Sequence, residues 1–163
     1  MDTPLVLFCK HDLWANLRLL DACAGLSHEE LNASVAGTFG NVGNTLNHIV
    51  ESESGYLYRL QTGRPKPSGG GDASFPGIED LRVQARRNGE GLIEVAERFQ
   101  PGAFYPVQWK DGHIHDLPAA VYLVQAITHA AEHRSQVLTI LTQQGIEVPD
   151  LSIWAYCEEE LIS

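Results

Sequence analysis

The segment THAAEHRSQVLTIL, residues 128–141, sets His129 and His133 one helical turn apart. Positions four apart share a helix face, so two imidazoles at this spacing can reach one metal ion. Seven histidines in 163 residues supply roughly 0.3 such pairs by chance, so spacing alone decides little. The neighbours add weight. At 100° per residue the pair shares its face with Tyr122, Ala126, Val137 and Ile140, which is the face a helical protein buries. Two neutral imidazoles there carry four ring nitrogens that need partners. A shared metal takes up two of them, and each outer N–H can go to a neighbouring acceptor. Two hydrogen-bonded core histidines account for the same spacing.

A third ligand has to come from a facing helix. His48 is the only histidine in the middle of another helical segment, at the edge of an apolar stripe of Val42, Leu46, Ile49, Tyr56, Leu57 and Leu60. Thr45, Ser52 and Gly55 flank it; such small neighbours leave room for a cavity and equally allow close helix packing. The rival pair, His113 and His115, falls in a hairpin around Asp111-Gly112. In a two-residue turn Trp109 pairs with Ile114 and packs inward, while Gln108, Lys110, His113 and His115 share a polar, solvated face. His11 and His28 form no pattern. Two charges stand out: Glu53 and Arg134 lie inside the apolar arcs of the segments that carry His48 and the His129/His133 pair. A buried charge needs a partner, so the two are expected to belong to a polar network tying these helices together, unless both reach solvent at the arc edge.

Four long segments must position these side chains. Residues 4–24, 42–61, 78–99 and 118–145 carry helical periodicity, closed by stop signals such as Gly25, Gly63 with Pro65, and Gly145 with Pro149. Ser27 and Glu30 form a capping-box pattern for a short turn. TGRPKPSGGGDASFPG reads as a linker, because its glycines lack the strand–loop–helix setting of a phosphate loop. FYPVQWKDGHIHDL reads as a hairpin, and DLSIWAYCEEE as a short C-terminal helix or turn. Helices of about 20 residues are about 30 Å long. The expected fold is all-α: one four-helix-bundle domain over 1–163, with a small β-hairpin between the third and fourth long helices. The connections at 25–41 and 62–77 leave the bundle topology open.

Bulk properties exclude whole classes. A net charge of −10, with 11 Lys and Arg against 21 Asp and Glu, is wrong for nucleic acid or an anionic membrane surface. The one basic group, Arg82, Arg86 and Arg87, sits among Glu79, Asp80 and Glu90, as on a solvated helix face. No run approaches the roughly 18 apolar residues of a membrane helix, and PLVLF is too short for a signal-peptide core. Cys9, Cys23 and Cys157, widely spaced and without a CxxC, fit reduced thiols and a cytoplasmic protein.

Three fragments in order carry a resemblance over nearly the whole chain. WANLRLL, then TFGNVGNTLNHIVESESGYLYRLQTG, then HAAEHRSQVLTILTQQGIEVPDLSIWAY are similar to the first, second and last helices of the DinB-like (DinB/YfiT-type) superfamily. That resemblance implies a metal held by His48, His129 and His133, a homodimer, and chemistry on a small-molecule substrate using low-molecular-weight thiols, in S-transfer or maleylpyruvate-type isomerisation. The sequence departs from the pattern at Ser135, where glycine is common, and at Trp154, where tyrosines are usual; the second departure leaves the substrate open.

Three imidazoles with a free fourth position make a catalytic rather than a closed structural site. Water or a thiol bound there loses its proton more easily. All-imidazole ligation suits several metals; zinc is the default, with nickel and iron compatible. No Gly-x-Ser-x-Gly elbow or Cys–His pairing offers a protein nucleophile. Two other classes stand against a metal-dependent transferase, isomerase or hydrolase. One is a non-catalytic, stress-related metal-binding dimer or binding protein. The other is a carboxylate-bridged di-iron protein using Glu51 and Glu132, which reverses the usual Glu-x-x-His order and turns Glu132 away from the histidines.

Overall fold

The computed structural model describes residues 2–67, 75–108 and 111–162. Its elements are α1 (Pro4–Cys23), α2 (His28–Leu31), α3 (Val42–Thr62), α4 (Ile78–Glu97), β1 (Phe104–Gln108), β2 (Ile114–Pro118), α5 (Ala119–Gln143) and α6 (Ile153–Glu160). The helix starts follow local chemistry. Thr3 caps α1 ahead of Pro4, Ser27 and Glu30 close a reciprocal capping box on α2, and Asn41 accepts from the Asn44 amide to cap α3. Helix α3 stops at Gly63, whose φ of 70° is the left-handed conformation an αL cap requires.

Side-chain contacts give the bundle its topology. Gln84 and Asn88 of α4 bond Glu51 and the Val50 carbonyl of α3, and Gly91 lies against Leu57. Both helices therefore advance together, and α4 runs parallel to α3. Leu13 meets Gly89 while Asp21 pairs with Arg82, so α1 opposes α4. His48 faces His129 near one end of α3 while Tyr56 and Arg59 reach Tyr122 and Val107 further along it, so α5 opposes α3. The order is up, down, down, up. A β-carbon on Gly89 would stand 2.6 Å from Leu13 Cδ1 and 2.8 Å from its Cβ, which is why a glycine sits at the α1–α4 crossing.

Apolar residues pack in two clusters. One gathers Leu19, Leu20 and Cys23 with Leu46, Leu81, Val137 and Ile140; the other gathers Val6 and Cys9 with Leu57, Leu92, Leu123 and Ala126. Between them runs a buried polar layer of Asp12, Asn16, Glu53 and Arg134, all at most 4% exposed.

The hairpin departs from the sequence expectation. Gln108 pairs with Ile114, so the register is shifted by one from a two-residue turn, and Ile114 is 71% exposed rather than inward. The Asp111 side chain accepts from the His113 amide and Gly112 has φ 83°, so an Asx turn takes up extra chain. Trp109 and Lys110 lie outside the described residues. The C-terminal stretch is an eight-residue helix, capped by Ser152.

Candidate metal centre

Helix α3 presents His48 to α5, where His129 and His133 project from successive turns. One ring nitrogen from each falls within 4.8 Å of the others. The Nε2 atoms of His48 and His129 stand 3.1 Å apart. Nitrogens about 2.05 Å from a tetrahedral zinc are separated by about 3.3 Å, so this edge already has ligand spacing. Burial lowers the pKa of His48, and His133 adds to that; burial, then His133 and His48, lower His129 to about 4. Both rings are thus held in the neutral form that ligates a metal.

Gln136 fixes the third ring. Its Oε1 accepts from the Phe39 backbone N–H at 2.9 Å and lies 3.1 Å from His133 Nδ1. Because Phe39 can only donate, the amide oxygen must face it, and His133 Nδ1 must then carry its proton. His133 Nε2 is left as the lone-pair donor, the arrangement by which an outer acceptor sets a ligand tautomer. The Phe39 ring stacks on His48 at 4.0 Å between centroids and meets His133 edge-on at 5.1 Å. His129 Nδ1 is buried and finds no hydrogen-bond partner among the described residues. Three convergent imidazoles, two held neutral and one fixed as an Nδ1–H tautomer, are a donor set that fits a divalent transition metal.

The polar layer lies behind the histidines. Arg134 Nη1 donates to Asp12 Oδ1 at 2.6 Å and to Asn16 Oδ1 at 2.7 Å, and Asn16 Nδ2 donates to Glu53 Oε1 at 2.6 Å. Hydrogen bonds thus link Glu53 of α3 to Arg134 of α5 by way of Asn16 of α1, with Asp12 as a further partner of Arg134; neither α1 residue was singled out from the sequence. The missed signal was the one that exposed Glu53: polar residues four apart inside an apolar arc, between Cys9 and Leu19. Gln136 and Phe39 were missed too. Gln136 lies one turn past His133, while Phe39 in a loop had no periodicity to betray it.

Burial and the Asp12 carboxylate raise the Glu53 carboxyl well above the ordinary range. Glu53 Oε2, buried and without a hydrogen-bond partner among the described residues, is the natural place for the proton. With Glu53 neutral, the layer holds one guanidinium and one carboxylate and is balanced.

The other candidates separate cleanly. His113 and His115 are exposed, and His115 Nε2 lies 3.2 Å from Asp111 Oδ2. Glu51 bonds Gln84 and Lys66 away from the histidines, and Glu132 is exposed, which removes the carboxylate-bridged alternative. His11 Nε2 lies 2.9 Å from the Leu151 carbonyl, and the His28 ring bonds Asn32.

Fold and site together define a class: helical bundles whose facing helices converge three histidines into a group that could hold a metal ion. The DinB family model matches residues 1–160, and the chain belongs to the DinB family. Its fold is similar to the crystal structure of a DinB-like protein, YjoA, from Bacillus subtilis. That match has a TM-score of 0.65 at 15% identity and covers 89% of this chain and 97% of the other. No curated protein matches the chain. No helix among the described residues is long and apolar enough to cross a membrane.

Proposed function

We propose that this single domain is a metal-dependent enzyme that binds one divalent metal through His48, His129 and His133 and acts on a small molecule at the remaining coordination position. The observation that carries it is the convergence of the three rings, with Gln136 presetting the His133 tautomer. His48, His129 and His133 would hold the metal, which when bound would supply Lewis acidity that eases proton loss from a thiol or water. The chain's own residues do the rest. Burial favours the neutral form of His48 and His129, Gln136 orients His133, and Phe39 covers the His48 ring and limits water on that side. Zinc is the favoured metal. S-transfer from a low-molecular-weight thiol leads the candidate reactions, ahead of isomerisation and hydrolysis. The family resemblance extends the proposal to a homodimer, for which Val121 and Val124, 42% and 55% exposed on the outer side of α5, offer apolar surface.

The test is a panel of thiol-conjugation, isomerisation and hydrolysis substrates given to zinc-loaded protein. Turnover that disappears with a chelator and returns with metal supports the enzyme. Fully metallated protein that turns over nothing favours a non-catalytic metal-binding protein.

A further inference from the structure

A groove of about 350 Å³ lies between α3, α5 and the hairpin, lined by Ser52, Gly55, Tyr56, Arg59, Val107 and Tyr122 among others. It starts beside the histidine centre. Ser52 is one turn beyond His48, and the Tyr56 ring stands edge-on to His129 at 6.0 Å between centroids. Its far end holds two features that nothing in the fold explains. Tyr122 is 8% exposed, and its hydroxyl is buried with no hydrogen-bond partner among the described residues. Such a group costs free energy unless something pairs with it. Arg59 is half-buried over the Tyr122 ring, its guanidinium carbon 5.3 Å from the centroid. One Nη1 hydrogen goes to the Pro106 carbonyl, and no carboxylate pairs with Arg59 among the described residues, in a protein with 21 acidic side chains. Lys66, which also lines the groove, is already taken by Glu51 and Ser54.

We propose that Arg59 and Tyr122 seat the carboxylate of an amphipathic organic acid whose apolar body lies along Val107 and Tyr56 and whose other end points to the histidine centre. The guanidinium has donors left to meet a carboxylate, and the tyrosyl hydroxyl can donate to the same group. Lys66 also lines the groove but is neutralised by Glu51, so Arg59 is the one lining cation without a carboxylate partner among the described residues, which matches a monoanion; a phosphate would call for more uncompensated positive charge. This assignment rests on the metal reading above and deepens it by naming the substrate class as a carboxylic acid.

Calorimetric titration with 3-phenylpropanoate and its uncharged twin 3-phenylpropan-1-ol tests the anion seat. The acid should bind the wild type about tenfold or more tightly than the alcohol. Arg59→Met should abolish that preference without weakening the alcohol. Tyr122→Phe should cut it a few-fold, and Arg59→Lys should restore part of it. Thermal melts of each variant identify any that fails to fold, and Tyr122→Phe, which keeps the ring, then carries the test. Equal binding of acid and alcohol, or a preference that survives in both Arg59→Met and Tyr122→Phe, would overturn the proposal.

Orientation is read by NMR on cobalt-loaded protein. The phenyl protons should relax faster than the methylene beside the carboxylate, and the opposite order overturns the proposal. Failure to take up cobalt would defeat the metal reading and with it the substrate assignment, while the titration still decides whether Arg59 and Tyr122 form an anion seat.

Discussion

Replacing Glu53 by glutamine separates its charge from its shape. Glu53 is 1% exposed and accepts from Asn16 Nδ2 at 2.6 Å, and burial and Asp12 push its carboxyl well above the ordinary range. A glutamine keeps that shape: its carbonyl accepts from Asn16, and its amide nitrogen takes the place of the protonated oxygen. The sign follows from linkage. A carboxyl whose folded pKa is raised binds its proton more tightly in the folded state, so its contribution is complete below the ordinary glutamate value. It is lost as pH rises towards the folded value. Glutamine has no such dependence. Relative to the wild type, Glu53→Gln should therefore gain about 1.4 kcal/mol for each pH unit inside that window. Urea unfolding followed by circular dichroism at pH 5.5, 6.5 and 7.5 measures it, and histidine titrations cancel in the difference between the two proteins. At pH 5.5 the two should lie within about 1 kcal/mol, because the amide replaces a neutral acid of the same shape. A stability difference that is flat with pH would mean an ionised Glu53 and would refute the balanced layer. Glu53→Ala, which strands the Asn16 amide and removes packing, should lose stability at all three pH values.

The remaining predictions concern the ligand shell and the thiols. Gln136→Leu removes the acceptor of both Phe39 N–H and His133 Nδ1, so zinc affinity measured by competition with a chromophoric chelator should fall about 10- to 100-fold while the helix content is kept. Burial pushes the thiols of Cys9 and Cys23 up to about 12. A disulfide reagent at pH 8 should thus titrate Cys157 promptly and the other two only after denaturation; prompt reaction of all three would contradict the buried placement.

What the sequence could show followed from how local each signal is. Helix starts and stops depend on neighbours within a turn, so Gly63 and the Ser27–Glu30 box were legible, whereas the Asn41 cap was not singled out and the three-histidine set came with the family resemblance. The buried charge of Glu53 and Arg134 was visible as a break in an apolar arc. Their connection was not, because hydrogen-bond partners on α1 depend on how the helices cross. The hairpin register turned on whether Asp111 would cap its own turn, a choice between turns of similar energy that the Asp-Gly pair does not settle. Phe39 sits in a loop whose conformation is set by the Asn41 cap and by Gln136, neither of which leaves a periodic trace. Parallel α3 and α4 depended on the path of a long connection, on which composition is silent.

The central claim is a single metal on three histidines. Elemental analysis of purified protein, wild type against His48→Ala and His133→Ala, tests it most directly. About one divalent metal per chain in the wild type, lost in both variants while their circular dichroism stays helical, is the predicted result; metal retained in both folded variants, or absent from the wild type after incubation with zinc, would contradict it.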